Sequence, residues 1–242
     1  MANKISTGSF DLNKWLYGGY ERDVITMVAG GPGTGKTNLA ILLACSQAQM
    51  GNKVIFIDSE GGFSIERVKQ IVGEKYEEIS KNILMLNIVN FDEQKKVFET
   101  LLDKIKTNHV GAIIVDGMAM LYRLELGCSD KEKEEGKIQK INQEVAKQMR
   151  MLSEISRKQN IPILITNQVY SGFVSQEDFM KGVKGETNLV GGSLFRYWSK
   201  CIIELQNDNG RRKAVLLKHR SLPTKQFSFE IKNEGVVKKG LF

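Results

Sequence analysis

Residues 24–40 read Val24-Ile-Thr-Met-Val-Ala-Gly-Gly-Pro-Gly-Thr-Gly-Lys-Thr-Asn-Leu-Ala40: an apolar run, a glycine-rich turn and a helix-forming run. Gly30, four residues, Gly35, Lys36 and Thr37 fit the P-loop pattern, with the strand before and helix after that the pattern requires. The chemistry needs these residue types. Gly30, Gly31, Gly33 and Gly35 let backbone N–H groups converge on phosphate oxygens, and the helix that follows adds its positive end. Lys36 supplies charge for the β and γ phosphates, and the Thr37 hydroxyl is the expected Mg²⁺ ligand. Pro32, Thr34 and Asn38 complete the set. The stretch predicts a site for a nucleoside triphosphate, ATP, with Mg²⁺.

Working outward, Val54-Ile-Phe-Ile-Asp58 and Gly111-Ala-Ile-Ile-Val-Asp-Gly117 are continuous apolar runs of the kind buried on both faces of a parallel sheet. Ile83–Leu86 and Ile161–Gln168 read as further strands, with Pro162 tolerated at the beginning of the second. Helices alternate with them: Thr37 to Met50, Ile65 to Gly73, Asp92 to Asn108, and a long amphipathic one from Ile138 carrying Ile141, Val145, Met149, Leu152 and Ile155. The alternation predicts an α/β fold whose mostly parallel sheet is flanked by helices. Phe10 to Leu16 reads as a short helix packing as a lid. Cys201–Leu205, Lys213–Leu217 and Phe227–Ile231 read as a C-terminal antiparallel extension, its first two strands joined at Asn207-Asp-Asn-Gly210. Tyr122–Lys137 has no apolar period and reads as a loop or frayed helix start. Ser171–Gly192 reads as a long functional loop.

At 242 residues, 41% hydrophobic and 26% charged, the chain fits one soluble domain over 1–242. The formal net charge of +7 fits either a polyanion partner or mere solubility. Cys45, Cys128 and Cys201 have no metal or disulfide spacing, which fits a reducing cytoplasm. His109 and His219 stand apart, which argues against a histidine metal site. No run approaches the roughly 18 apolar residues of a spanning helix, so no membrane role is expected.

Asp116, ending a buried strand, is the natural carboxylate for the Mg²⁺ ion. Glu60, in Asp58-Ser-Glu, could polarise the attacking water if its strand lies beside the P-loop strand; the same pattern also serves as a helix cap. Gln168, at the mouth of its strand, could sense the γ-phosphate or simply satisfy backbone. Lys218 and Arg220 alternate in an extended segment and could reach one phosphate together, or form a solvated turn. Arg123, Lys137, Tyr170, Phe173, Lys181 and Lys184 interleave aromatic and basic chemistry as single-strand binding favours, with solubilising charge as the other reading.

The ordered set Ile5-Ser-Thr-Gly, Gly30-Gly-Pro-Gly-Thr-Gly-Lys-Thr, Ile57-Asp-Ser-Glu-Gly-Gly-Phe-Ser-Ile-Glu-Arg, Ile165-Thr-Asn-Gln-Val and Lys218-His-Arg-Ser-Leu-Pro resembles the RecA/RadA recombinase family, most of all its short archaeal members. The resemblance covers essentially the whole chain. It implies a RecA-type ATPase core with Glu60 as the catalytic carboxylate, Gln168 as the nucleotide sensor and Arg67 stacking on adenine. It also implies DNA, single strands favoured, at Tyr122–Lys137 and Ser171–Gly192. Lys218 and Arg220 resemble a basic finger that relatives of the KaiC type insert into a neighbour's ATP site, in a homo-oligomer. The family's N-terminal helix-hairpin-helix domain and polymerisation element are not visible here. The implied role is therefore a mediator or regulator of homologous recombination and DNA repair, with slow ATP hydrolysis and little strand exchange. It would contact recombinase or junction-processing proteins. A KaiC-like signalling ATPase acting through protein partners is the alternative, and a small-molecule kinase, which would need an Arg-rich lid, a third.

Overall fold

A computed structural model describes residues 3–106, 109–127, 135–171 and 187–240. The first elements are β1 (Lys4–Ile5), α1 (Phe10–Trp15) and β2 (Tyr20–Glu21), with β1 and β2 paired antiparallel. Ser9 caps α1 by accepting from the Leu12 N–H at 3.3 Å. They precede β3 (Ile25–Gly30) and α2 (Lys36–Gln49), the elements on either side of the glycine-rich turn.

Strands and helices then alternate. β4 (Lys53–Asp58) leads through α3 (Ile65–Val72), a 3₁₀ turn at Gly73–Lys75 and α4 (Tyr76–Ser80) to β5 (Ile83–Asn87). α5 (Phe91–Lys106), β6 (Val110–Asp116), α6 (Met120–Gly127), α7 (Glu135–Gln159) and β7 (Ile163–Ser171) follow. The chain closes with β8 (Thr187–Leu189), α8 (Gly192–Trp198), β9 (Ser199–Asp208), β10 (Arg211–Lys218), β11 (Lys225–Lys232) and β12 (Gly235–Lys238).

In the main sheet the order is β12-β11-β10-β9-β3-β7-β6-β4-β5, with β8 paired antiparallel to β7. The six strands from β9 to β5 are parallel, and β10, β11 and β12 continue from β9 antiparallel. β9 therefore belongs to both parts, parallel to β3 on one side and antiparallel to β10 on the other. Alternation along each strand divides the core. Val28, Phe56, Ile114 and Leu164 face α2 and the helices α1, α3 and α4. Met27, Ile57, Val115 and Ile165 face α5, α7 and α8. The residues of α2 from Leu39 to Ala48 are all buried, because the helix packs on the sheet, β12 included, and is covered by α3 and α4.

The predicted α/β architecture is the observed one, and the five apolar positions along α7 are all buried. Several segments differ. Residues 122–127, read as a loop or a frayed helix start, belong to an ordered helix, α6, that buries Leu121. Three apolar or aromatic residues, Tyr122, Leu124 and Leu126, are too few over one and a half turns to show a period. The segment 171–192 holds a strand at Thr187–Leu189 and the start of α8, which pair with β7 and pack on α7 through Phe195. The short elements α4, β1, β2 and β12 have no signal of their own, since contacts with distant segments stabilise them.

Phe56 sits fully buried on β4 with its ring 5.0 Å from that of Phe63 in an edge-to-face pair. Truncating it removes the filling between sheet and α2. Phe56→Ala should cost about 3–5 kcal/mol of folding stability, read as a lower urea midpoint with an unchanged m-value.

Candidate functional site

The site lies where β3, β4, β6 and β7 end. In the P-loop, Gly35 has φ +108°, and a Cβ there would come 2.8 Å from Ile231 Cδ1 on β11. The left-handed backbone therefore disfavours a side chain here, and a Cβ would also push against the end of Ile231. Lys36 opens α2 and is buried, its Nζ donating to the carbonyls of Gly30 and Gly31, each at 3.0 Å. Burial pulls its pKa down, against the attraction of the Glu60 and Asp116 carboxylates.

Asp116 ends β6 with no solvent exposure. Its Oδ1 accepts the Thr166 hydroxyl at 2.6 Å and its Oδ2 the Thr37 hydroxyl at 2.8 Å. Thr166 Oγ1 in turn accepts the Gly117 N–H at 2.8 Å. Burial pushes the Asp116 carboxyl up, the two threonine hydrogen bonds pull it back, and the neighbouring Glu60 and Asp58 charges add to the rise.

The expectation for Glu60 rested on β4 lying beside β3, and that premise fails: β7 and β6 lie between them. Glu60 arrives by another route. Asp58 Oδ1 accepts the N–H groups of Glu60, Gly61 and Gly62 at 3.0, 2.9 and 3.3 Å, and Oδ2 accepts that of Phe63 at 2.9 Å. This ring of donors bends the chain after β4 back across the strand ends. The Ser59 hydroxyl lies 2.9 Å from the carbonyls of both Asp116 and Gly117 and ties the bend to β6. Gly117, at φ +85°, could carry no Cβ, which would fall 2.4 Å from Ser59 Oγ. Glu60 Oε1 then accepts from Gln168 Nε2 at 3.2 Å, so the two sensor and base candidates meet directly.

A cleft of about 330 Å³ follows, with Pro32, Gly33 and Lys36 on its floor, Glu60 and Gln168 on one wall, and Arg212 and Ile231 also lining it. Thr37, Asn38 and Gly35 border it too. Gly30, Gly31 and Thr34 support the turn from below, Thr34 Oγ1 donating to the Gly31 carbonyl at 2.9 Å. The sequence reading missed Asp58, Thr166, Arg212 and Ile231; only Asp58 left a signal, an Asp just ahead of two glycines. Among the described residues no three His, Cys, Asp or Glu side chains gather to hold a metal ion by themselves. The donor set of a threonine hydroxyl and one carboxylate suits Mg²⁺, which takes few protein ligands and relies on phosphates and water for the rest.

The other predicted residues fall in three places. Arg67 is fixed to the β11–β12 turn, donating to the carbonyls of Lys232 at 2.8 Å and Asn233 at 3.1 Å and to Gln70 Oε1 at 2.8 Å. Arg123 and half-exposed Tyr170 line one cavity of about 250 Å³ with Tyr122, Leu126, Val190 and Gly191. Lys137 is exposed near the start of α7, and Phe173, Lys181 and Lys184 lie outside the described residues. Lys218 donates to the Arg196 carbonyl at 2.7 Å, and Arg220 to Asp23 at 2.7 and 2.8 Å and Glu21 at 2.9 Å. Both basic groups of the predicted finger are thus engaged within the chain.

A glycine turn between the central strand and a buried helix, an acidic strand end tied to it, and an antiparallel C-terminal extension define a P-loop domain of RecA type. The model of the Rad51 family matches residues 2–239, and the chain belongs to that family. It is 36% identical over 240 residues to the DNA repair and recombination protein RadB of Methanobrevibacter smithii, covering 97% of this chain and 96% of that one. It is 37% identical over 225 residues to the protein of the same name from Methanocaldococcus jannaschii, covering 93% and 98%. No helix among the described residues is long and apolar enough to cross a membrane.

Because burial holds the folded pKa of Asp116 above its unfolded value, ionising it as pH rises costs folding stability. Asp116→Asn removes that cost, and the Thr37 and Thr166 hydroxyls can rotate to suit the amide. Calorimetry at pH 7 without nucleotide should show a higher Tm for the variant, by about 2–4 °C, with the difference shrinking toward pH 4.

Proposed function

We propose that this chain binds ATP with Mg²⁺ and DNA, and acts in homologous recombination and repair as a recombinase paralogue of mediator or regulator type. Its ATP hydrolysis is slow and its strand exchange slight. The observation that carries the reading is the hydrogen bond from Gln168 to Glu60. It couples the wall of the phosphate cleft to β7, the strand whose far end carries Tyr170.

Bound ATP and Mg²⁺ supply the phosphoanhydride and screen its charge. The P-loop N–H groups hold the phosphates. Lys36 exchanges its two carbonyl partners for phosphate oxygens, a gain in charge-assisted bonding. Thr37 through its hydroxyl and Asp116 through its carboxylate would hold the ion, whose charge would neutralise that of the phosphates. Glu60 orients and deprotonates the attacking water, while the Gln168 amide fixes its carboxylate. Arg67, held flat against the β11–β12 turn, offers its guanidinium face to adenine.

Nucleic acid would be met on the side of Arg123 and Tyr170, where a base can stack on a ring and a cation neutralises phosphate. The in-chain pairing of Lys218 and Arg220 gives no support to a finger reaching a neighbour's ATP, and with it the KaiC-like reading loses its specific motif. Recombinase or junction-processing proteins and further copies of the chain remain the partners of this proposal.

Glu60→Gln should lower the ATPase turnover by roughly 100-fold or more while leaving the Kd for ATP within a few-fold, by stopped flow and titration. A labelled single-stranded oligonucleotide should bind the parent chain with an affinity that falls steeply across a salt series, and Arg123→Ala should weaken it. Salt-independent binding, or none at low salt, would instead favour a signalling ATPase that works through proteins.

A further inference from the structure

Resting on the nucleotide reading above, we infer that Arg212 is a further nucleotide-binding residue, one that contacts the phosphate chain from within the same protomer. It lies on β10, two strands away from the P-loop strand, and nothing in the P-loop pattern points to it.

The geometry begins with alternation. Arg212, Ala214 and Leu216 occupy one face of β10, and Ala214 and Leu216 are buried in the core that includes α2. Arg212 is the first of the three, at the start of β10, the end of the strand that lies at the P-loop. Its register partner on β11 is the buried Phe229, and Ile231, next on that face, is the residue that touches Gly35. The side chain is thereby carried along an apolar shelf to the N-terminal end of α2, where it lines the same cleft as Lys36 and Thr37.

Its chemistry is unspent there. The Arg212 Nε is buried and has no hydrogen-bond partner among the described residues, and no ion pair to it forms among them. A guanidinium is never deprotonated in a protein, and an unpaired buried donor carries a desolvation cost until an acceptor arrives. Two other arginines spend their terminal nitrogens within the chain, although the Arg67 Nε is likewise buried and unpaired. Arg67 is bound to two carbonyls and a glutamine, and Arg220 to two carboxylates. A planar donor fork held open beside a turn of backbone N–H groups suits an anion with several oxygens, which is what a phosphate chain offers.

The test uses the full chain and its Arg212→Gln variant. Parent affinities for Mg-ATP and for adenosine are measured by competition against a fluorescent ATP analogue, with apo Tm recorded for both proteins. Loss of one charge-assisted contact should weaken Mg-ATP roughly 10- to 100-fold, leave adenosine within twofold and leave the apo Tm unchanged or higher. Mg-ATP binding within twofold of the parent would overturn the assignment, as would an equal loss for adenosine, which would mark a role in shaping the cleft. If the parent itself binds no ATP, it is the nucleotide reading that fails, and the two failures are told apart by the parent measurement.

Discussion

The Asp116 carboxylate, without solvent and held between two threonine hydroxyls, is the constraint on which the site depends. A buried ionisable group is tolerated only where its acceptors are filled. Filling them here requires Thr37 from the first turn of α2 and Thr166 from β7 to stand at fixed distances from the end of β6. Three elements brought together by the sheet order are thereby locked in register at their carboxyl ends, where open α/β sheets bind their ligands. The cost of burying the charge is the sign of use: a site built to hold a cation keeps an acid where stability alone would place an amide.

A second layer of order is set by Asp58. Its four backbone donors cost no extra side chains, because the turn after β4 supplies them. The bend they impose carries Glu60 across the end of β6 to meet Gln168 on β7. Distance in the sheet is thus overcome by loop geometry, and the acid of one strand and the amide of another act as one unit. The arrangement also explains why small residues crowd this corner, since Gly117 has Ser59 and Glu60 packed where a Cβ would stand.

The strands of the parallel sheet were legible because each is buried on both faces and so writes a continuous apolar run, and the P-loop because its chemistry admits few residue types. Asp116 was legible for the same reason, as the polar end of such a run. What stayed hidden depends on neighbours far away in sequence. The position of β4 is a matter of strand order, which no local pattern encodes. Helix α6 is too short to show a period, and β12 exists only by pairing with β11 and receiving α1. Arg212 looked like one basic residue among Arg211, Arg212 and Lys213; only the alternation fixed by the β9 and β10 register turns it toward the cleft.

The packing of α1 on β12 joins an early segment of the chain to a late one. Ser9 donates to the Val236 carbonyl, and the Lys238 N–H donates to Asp11 Oδ2 at 2.7 Å. The β11 wall of the cleft belongs to the same late segment. During synthesis the P-loop therefore leaves the ribosome long before Ile231 and Arg212 do, and α1 waits without its partner until the final strand emerges. At translation speeds of about 5–20 residues per second, the nascent chain spends on the order of ten seconds or more with a glycine turn that has no far wall. The cleft is therefore completed late, only once β11 has emerged.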